Sequence, residues 1–270
     1  MQMNSDEILR KWHSERIRHP MFSEPGGVKM NDHWERCSST YGAERYSSIL
    51  TDIVDYLRES DLITGKRVID IGSGPGTFAE PMSRFCHSVL CTDISPGMLA
   101  RVESLGINNI STFLGDCLNL PNSCIRDVSF CSLCPPMNCS EGLAMMEKMG
   151  KDLCIYVSSA NPCGGLESKI WNALGKDYSY HGADTQFPAD YLESLGISVE
   201  LRFFTQLNEY DESEVDVADM MVRKISAYRP LTADDEKKIR DTVYLESEDG
   251  IIHTRTEFRM GMLIWEPGQL

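Results

Sequence analysis

The stretch Val68-Ile69-Asp70-Ile71-Gly72-Ser73-Gly74-Pro75-Gly76-Thr77 constrains the fold more than any other part of the chain. A short apolar run leads into three glycines at alternate positions. Phe78, Ala79, Met82 and Phe85 then follow at helical spacing. Glycine adopts backbone angles closed to other residues and lets a ligand approach the main chain closely. A strand, a glycine turn and a helix in that order place a ligand at the carboxyl end of a sheet.

The alternation of strand and helix continues. Residues 67–71, 89–92, 110–114, 128–133 and 153–158 read as five strands. Ser95-Pro96 supplies an N-cap and a first-turn proline to the helix after the second strand, and Gly106 closes that helix. Further helices are expected near 141–149 and 166–174. Strands separated by helices imply a parallel, doubly wound α/β sheet with right-handed crossovers. Upstream, Tyr46, Ile49, Leu50, Ile53 and Leu57 mark one face of an amphipathic helix. The first thirty or so residues are expected to be irregular, because Pro20, Pro25, Gly26 and Gly27 break any helix that starts near Ser5. Downstream, 197–207 and 251–265 read as an antiparallel pair at the sheet edge. A helical insertion at about 209–249 separates them, with helices near 212–226 and 232–245. Its apolar stripes (Val215, Ala218, Met221, Val222, Ile225; Ile239, Val243) need a partner surface, either the sheet or an acceptor pocket.

Which ligand the glycine turn takes is a question of charge. A nicotinamide fingerprint places its third glycine one position later, where this chain has Thr77. Asp70 stands just before the turn, where a carboxylate repels a pyrophosphate and attracts a cationic amino-acid group. S-adenosylmethionine (SAM) carries an ammonium and a sulfonium and no phosphate. Asp93, at the end of the second strand, stands where an acid can accept hydrogen bonds from ribose hydroxyls. Asp116, after the third strand, can accept from an adenine amino group.

Asp70-Ile-Gly-Ser-Gly-Pro-Gly76, Cys91-Thr-Asp93-Ile-Ser-Pro-Gly-Met98 and Gly115-Asp116 resemble the first three motifs of class I SAM-dependent methyltransferases, in particular the small-molecule branch typified by quinone-biosynthesis C-methylases. The resemblance covers about residues 34–160. It implies a Rossmann-like, seven-stranded, mostly parallel sheet with an antiparallel last strand and helices on both faces. It also implies that Gly72, Gly74 and Gly76, with Ser73, line the methionine end of SAM. Asp93 with Ile94 would bind ribose, and Asp116 with Cys117 would face adenine. Residues 1–48 would form an N-terminal helical cap, with Trp34, Tyr41 and Tyr46 as candidate contacts, on a methyltransferase domain of residues 49–270. The end of the fourth strand lies near the transferable methyl in this family, so Ser132, Leu133 and Cys134 are expected to approach it. Pro135-Pro136 resembles part of the N-P-P-[YF] motif of enzymes that methylate planar nitrogens, but the leading asparagine and trailing aromatic are missing. Metal-using oxygen methylases of the fold carry an Asp at the end of strand four, where this chain has Ser132-Leu133, so no metal is expected.

Composition narrows the partners. With 41 acidic against 26 basic residues the net charge is −15, which repels phosphate backbones, so nucleic acid is not an expected partner. The stretch Met1 to Arg18 is polar, and no uninterrupted apolar run is long enough to span a bilayer. A soluble, cytoplasmic protein without membrane attachment is expected. The ten cysteines then read as reduced thiols, many of them buried. Cys131, Cys134 and Cys139 cluster in sequence, but the C-x-x-C has neither a second pair nor a histidine at zinc-like spacing. The leading function is therefore methyl transfer from SAM to a small molecule by direct displacement. The alternatives are methylation of a protein or other macromolecule, a SAM-binding protein without catalysis, and, more distantly, a dinucleotide-dependent oxidoreductase. His181, His253 and Asp184 are candidate general bases, and none is singled out as catalytic.

Overall fold

The computed structural model of the chain describes residues 3–18, 22, 30–39, 47–160, 165–176, 185–268 and 270. Its elements run α1 (Ser5–Arg16), α2 (Met30–Cys37), α3 (Ser47–Glu59), β1 (Arg67–Ile71), α4 (Ala79–Ser83), β2 (Ser88–Asp93), α5 (Pro96–Ser104), β3 (Ile110–Leu114), β4 (Arg126–Ser132), α6 (Ser140–Met149) and β5 (Gly150–Ser159). Then follow α7 (Gly165–Ala173), α8 (Gln186–Ser194), β6 (Glu200–Ser213), α9 (Glu214–Ser226), α10 (Ala233–Leu245) and β7 (Ile251–Trp265).

The strands form one seven-stranded sheet in the order β3-β2-β1-β4-β5-β7-β6. β1 to β5 pair in parallel, while β7 is antiparallel to both β5 and β6. Alternate residues of each strand face opposite sides, so the sheet carries two cores. Val68, Phe130 and Val157 pack with Ile53 and Leu57 of α3, Met82 of α4 and Val102 of α5. Ile69, Ile71, Cys131 and Tyr156 pack with Trp12 of α1, Leu143 of α6 and Leu192 of α8 on the other face. The sheet order reverses between β1 and β4. That crevice at the carboxyl ends of the strands is where doubly wound sheets bind ligands.

Two helices depart from the sequence reading. The N-terminus holds a 12-residue helix, α1, not irregular chain. Asn4 Oδ1 caps it by accepting from the Glu7 N–H at 2.9 Å, and Ile8 and Trp12 bury one turn apart. The proline and glycine breakers begin after three turns are complete. Helix α8 was not among the expected elements; its Pro188 stands in the first turn, where proline is tolerated. Among the described residues of the first 48, α1 packs against α8, with Trp12 and Tyr191 ring centroids 6.1 Å apart, and Trp34 of α2 lines the crevice. Tyr46, Tyr41, His181 and Asp184 lie outside the described residues.

The insertion also differs from its expected bounds. β6 runs on to Ser213 and pairs with β7 as far as Ile251, whereas β5 pairs with β7 only from Met260 to Trp265. The outer half of the hairpin therefore projects past β5 as an arm. Val217, Ala218 and Ile225 of α9 meet Ile239 and Val243 of α10 around Ile170 and Trp171 of α7, forming a third, local core. Val215, expected in the stripe, is 52% exposed. Ile239 is fully buried there. Truncating it to Ala should cost about 2–5 kcal/mol, felt mainly in the arm. Hydrogen exchange should speed up across 214–250 and stay slow in β1, β4 and β5. Uniform acceleration along the chain would mean that the arm has no core of its own.

Candidate cofactor site

The glycine turn after β1 is built from the backbone outward. Gly72, Gly74 and Gly76 all have positive φ, at 69°, 54° and 87°. At Gly72 a Cβ would also lie 2.5 Å from Cys134 Sγ, so a side chain is excluded there by contact as well as by conformation. The Ser73 N–H donates to the Thr92 carbonyl at 2.9 Å and the Gly76 N–H to the Ser73 carbonyl at 3.1 Å, locking the turn onto the end of β2.

Asp93 fastens three loops together. Its carboxylate accepts from the Gly74 N–H and the Ser95 N–H, each at 2.9 Å, and its carbonyl accepts from the Gly115 N–H at 2.9 Å. Burial pushes its pKa up, and the backbone N–H bonds pull against that shift. Asp70 lies beneath the same turn, 1% exposed, and neither of its carboxylate oxygens has a hydrogen-bond partner among the described residues. Desolvation raises its pKa to about 8, with the Asp93 charge adding to the shift. A buried carboxyl group without partners marks a place where a cation or a donor belongs.

Around these groups lies a cavity of about 280 Å³. Nine of the twelve residues expected to bind cofactor line it: Trp34, Gly72, Ser73, Gly74, Asp93, Ile94, Asp116, Cys117 and Ser132. Asp70 and Gly76 do not line it; Asp70 is buried behind the turn, and Gly76 faces Val102 and Leu105 of the α5 helix and its C-cap. Tyr41 lies outside the described residues. Asp116 is exposed and caps its own turn, accepting from the Leu118 N–H at 3.0 Å and the Asn119 Nδ2 at 2.6 Å. Leu50, Phe78, Met98 and Leu118 also line the cavity. Sequence reasoning missed them because an apolar residue facing a pocket reads like one facing a core; only their nearness to the motif ends distinguishes them.

The wall at β4 has its own geometry. Leu133 has φ of 46°, in the left-handed region, and its N–H donates to the Val157 carbonyl at 3.0 Å. That bend carries the chain into Cys134-Pro135-Pro136, all lining the cavity. The cysteine cluster is not the one expected. Cys134 bonds to Cys117 and to Cys131, whereas Cys139 turns away and donates to the Pro136 carbonyl at 3.3 Å. The bond with Cys134 followed by burial raises the Cys117 pKa far above its usual value, and burial raises that of Cys131, so both remain neutral thiols. Among the described residues no group of three or more His, Cys, Asp or Glu is placed to hold a metal ion. His253, a candidate base, pairs with Asp211 at 2.8 Å on the exposed hairpin and does not line the cavity.

Comparison with known proteins agrees with this geometry. Residues 68–150 match the family model described as a methyltransferase domain. A protein-L-isoaspartate O-methyltransferase 2 of Pelobacter propionicus is 39% identical over 69 residues, which are 24% of this chain and 31% of that protein; the chain thus matches under a third of that relative. Two solved structures share the fold. One is a SAM-dependent methyltransferase from Geobacter sulfurreducens with S-adenosylhomocysteine (SAH) bound (14% identity, TM-score 0.52, covering 88% of this chain and 99% of that one). The other is phosphoethanolamine N-methyltransferase 2 from Haemonchus contortus (16%, 0.51, 89% and 61%). Residues 68–150 thus match a methyltransferase domain, and the chain has the fold of SAM-dependent methyltransferases.

Gly72→Ala tests how tightly the turn is built. The left-handed φ alone should cost about 1–3 kcal/mol, and contact with Cys134 adds to it. Thermal unfolding of Gly72→Ala/Cys134→Ala should recover the contact but not the strain, giving a melting temperature between the single variant and the parent. A single variant as stable as the parent would refute the packing described.

Proposed function

We propose that this protein transfers the methyl group of SAM to a small-molecule acceptor in the cytoplasm. The observation that carries the proposal is Asp70: a carboxyl group sealed under a glycine turn, without a partner among the described residues, gains by ionising against the ammonium of SAM and gains nothing from a pyrophosphate, whose charge would oppose that ionisation. When bound, SAM supplies a methyl on a sulfonium, which a nucleophile displaces directly.

The residues then divide the work in sheet order. Asp70, at the end of β1, holds the ammonium, and the glycine turn lies along the methionine chain. Asp93, at the end of β2, accepts from the ribose hydroxyls with the carboxylate lone pairs its backbone partners leave free, and Ile94 flanks it. Asp116 and Cys117, after β3, border the adenine. Ser132, Leu133 and Cys134, at the end of β4, border the methyl, so the acceptor approaches past Pro135-Pro136 and the indole of Trp34. Lining residues on that side are mainly apolar, which suits a small organic acceptor better than a charged polymer. Holding two reactants in line supplies much of the acceleration in such a displacement. No general base is assigned. Among the described residues no helix is long and apolar enough to cross a membrane, in keeping with a cytoplasmic enzyme.

Calorimetry with SAM, SAH and NAD tests the proposal. SAM and SAH should bind at micromolar level and NAD poorly; tight NAD binding without a SAM signal would end the reading. Asp93→Asn should weaken SAM binding by about 1.5–3 kcal/mol, the worth of hydrogen bonds to a charged group. Asn is preferred because Ala would release both the Gly74 and the Ser95 N–H groups, which separate carboxylate oxygens hold, whereas Asn keeps an oxygen for one of them. Parent-like affinity in a folded Asp93→Asn protein would remove the ribose assignment.

A further inference from the structure

Three consecutive residues of α2 point in three directions. Trp34 lines the cofactor cavity. The Glu35 carboxylate accepts from Ser95 Oγ at 2.6 Å and from the Gly97 N–H at 3.0 Å, so it sits on the first turn of α5, whose orphan N–H groups favour an anion. The approach is close: a Cβ at Gly97 would lie 2.5 Å from Ser38 Oγ. Arg101 of α5 adds a bond to the Ser38 carbonyl at 2.7 Å. On this side α2 is bolted to the cofactor domain.

His33 faces the other way. It is 3% exposed, and its Nδ1 lies 2.8 Å from the carbonyl of Ala227, the C-cap residue of α9. A carbonyl only accepts, so Nδ1 carries the proton. Arg36 donates to the same carbonyl at 3.2 Å. A helix C-terminus leaves its last carbonyls unpaired and favours cations, which suits Arg36; His33, whose pKa burial lowers, fits as a neutral N–H donor. The His33 ring meets the Trp34 ring edge-on, with centroids 4.8 Å apart, and stacks on Tyr228 at 5.4 Å; Tyr228 in turn meets Trp171, in the core of the arm, at 6.1 Å. A continuous row of four rings thus joins the cavity to the core of the insertion. No residue of the insertion is among the described residues lining the cavity. Its route to the site is α2.

We infer that His33 and Arg36 are positioning residues that tie the insertion to the lid over the cofactor, so that the arm sets how long the cofactor stays bound. The inference rests on the cofactor reading above. The arm is a strut: by holding the C-terminus of α9 against α2, it keeps Trp34 seated at the cavity mouth.

The test is the dissociation rate of SAH from the full chain, followed by stopped-flow displacement alongside the melting temperature of the cofactor-free protein. Arg36→Ala, His33→Ala and Tyr228→Leu should each release SAH about tenfold faster, equivalent to ~1.4 kcal/mol, with little change in the melting temperature. His33→Asn keeps a donor for the Ala227 carbonyl and should restore most of the slow release. His33→Ala combined with Tyr228→Leu should be less than additive, because both break one connection. Parent-like release from His33→Ala and Arg36→Ala would overturn the inference, as would faster release matched by an equal loss of stability in His33→Asn. A parent protein that binds no SAH would instead overturn the cofactor reading itself, so the two failures are distinguishable.

Discussion

Two carboxyl groups buried side by side at the ends of β1 and β2 govern this structure, and only one of them is satisfied. Asp93 spends its charge on backbone N–H groups from two different loops. Asp70 has no such partner. Like charges at short range in a desolvated site disfavour each other, so the satisfied acid raises the proton affinity of the unsatisfied one. The result is a rigid turn with a latent negative charge behind it. Everything else at the site follows the turn: the glycines with positive φ, the thiol of Cys134 against Gly72, and the bend at Leu133 that shapes the opposite wall.

The molecule separates its rigid frame from its adjustable parts. The sheet and the two cores flanking it hold the carboxylates in register. The arm has a core of its own and continues from the frame through the β6–β7 hairpin, whereas α2 meets α5 of the frame through the bonds of Glu35 and Ser38. Energy in such a design is local. The arm has a local core, and polar bonds worth about a kcal/mol each link it to α2. The acidic insertion therefore need not line the cavity to affect it.

Much of the fold was legible in the chain, and the reasons are physical. β1, β3 and β7 lie where periodicity places them, because apolar runs bounded by glycine or polar turns leave little freedom. The glycine turn and Asp93 were readable because backbone conformation and charge are properties of single residues. What escaped depends on tertiary partners. Helix α1 is stabilised by burying Trp12 and bonding it to Asn138, 126 positions away. Cys117 joins Cys134 only because β3 and β4 end at the same crevice. The arm looked like an edge insertion since nothing local shows that β6 and β7 outrun β5, and His33 meets Ala227 across 194 positions.

On the proposed function, Asp70 is protonated in the free protein and ionised against the ammonium of the bound cofactor. Burial raises the Asp70 pKa to about 8, so it holds its proton at pH 7 and, on that proposal, releases it when SAM binds. Affinity should therefore rise with pH toward 8, and fall above it as the cofactor's own amino group, ordinarily near 7.7–8.0, loses its charge. Calorimetry at pH 7 in buffers of different ionisation enthalpy measures this directly. The account predicts release of nearly one proton on binding SAM or SAH. It predicts none with 5′-methylthioadenosine, which lacks the amino-acid group, and none with Asp70→Asn. SAM binding without proton release in the parent protein would contradict it.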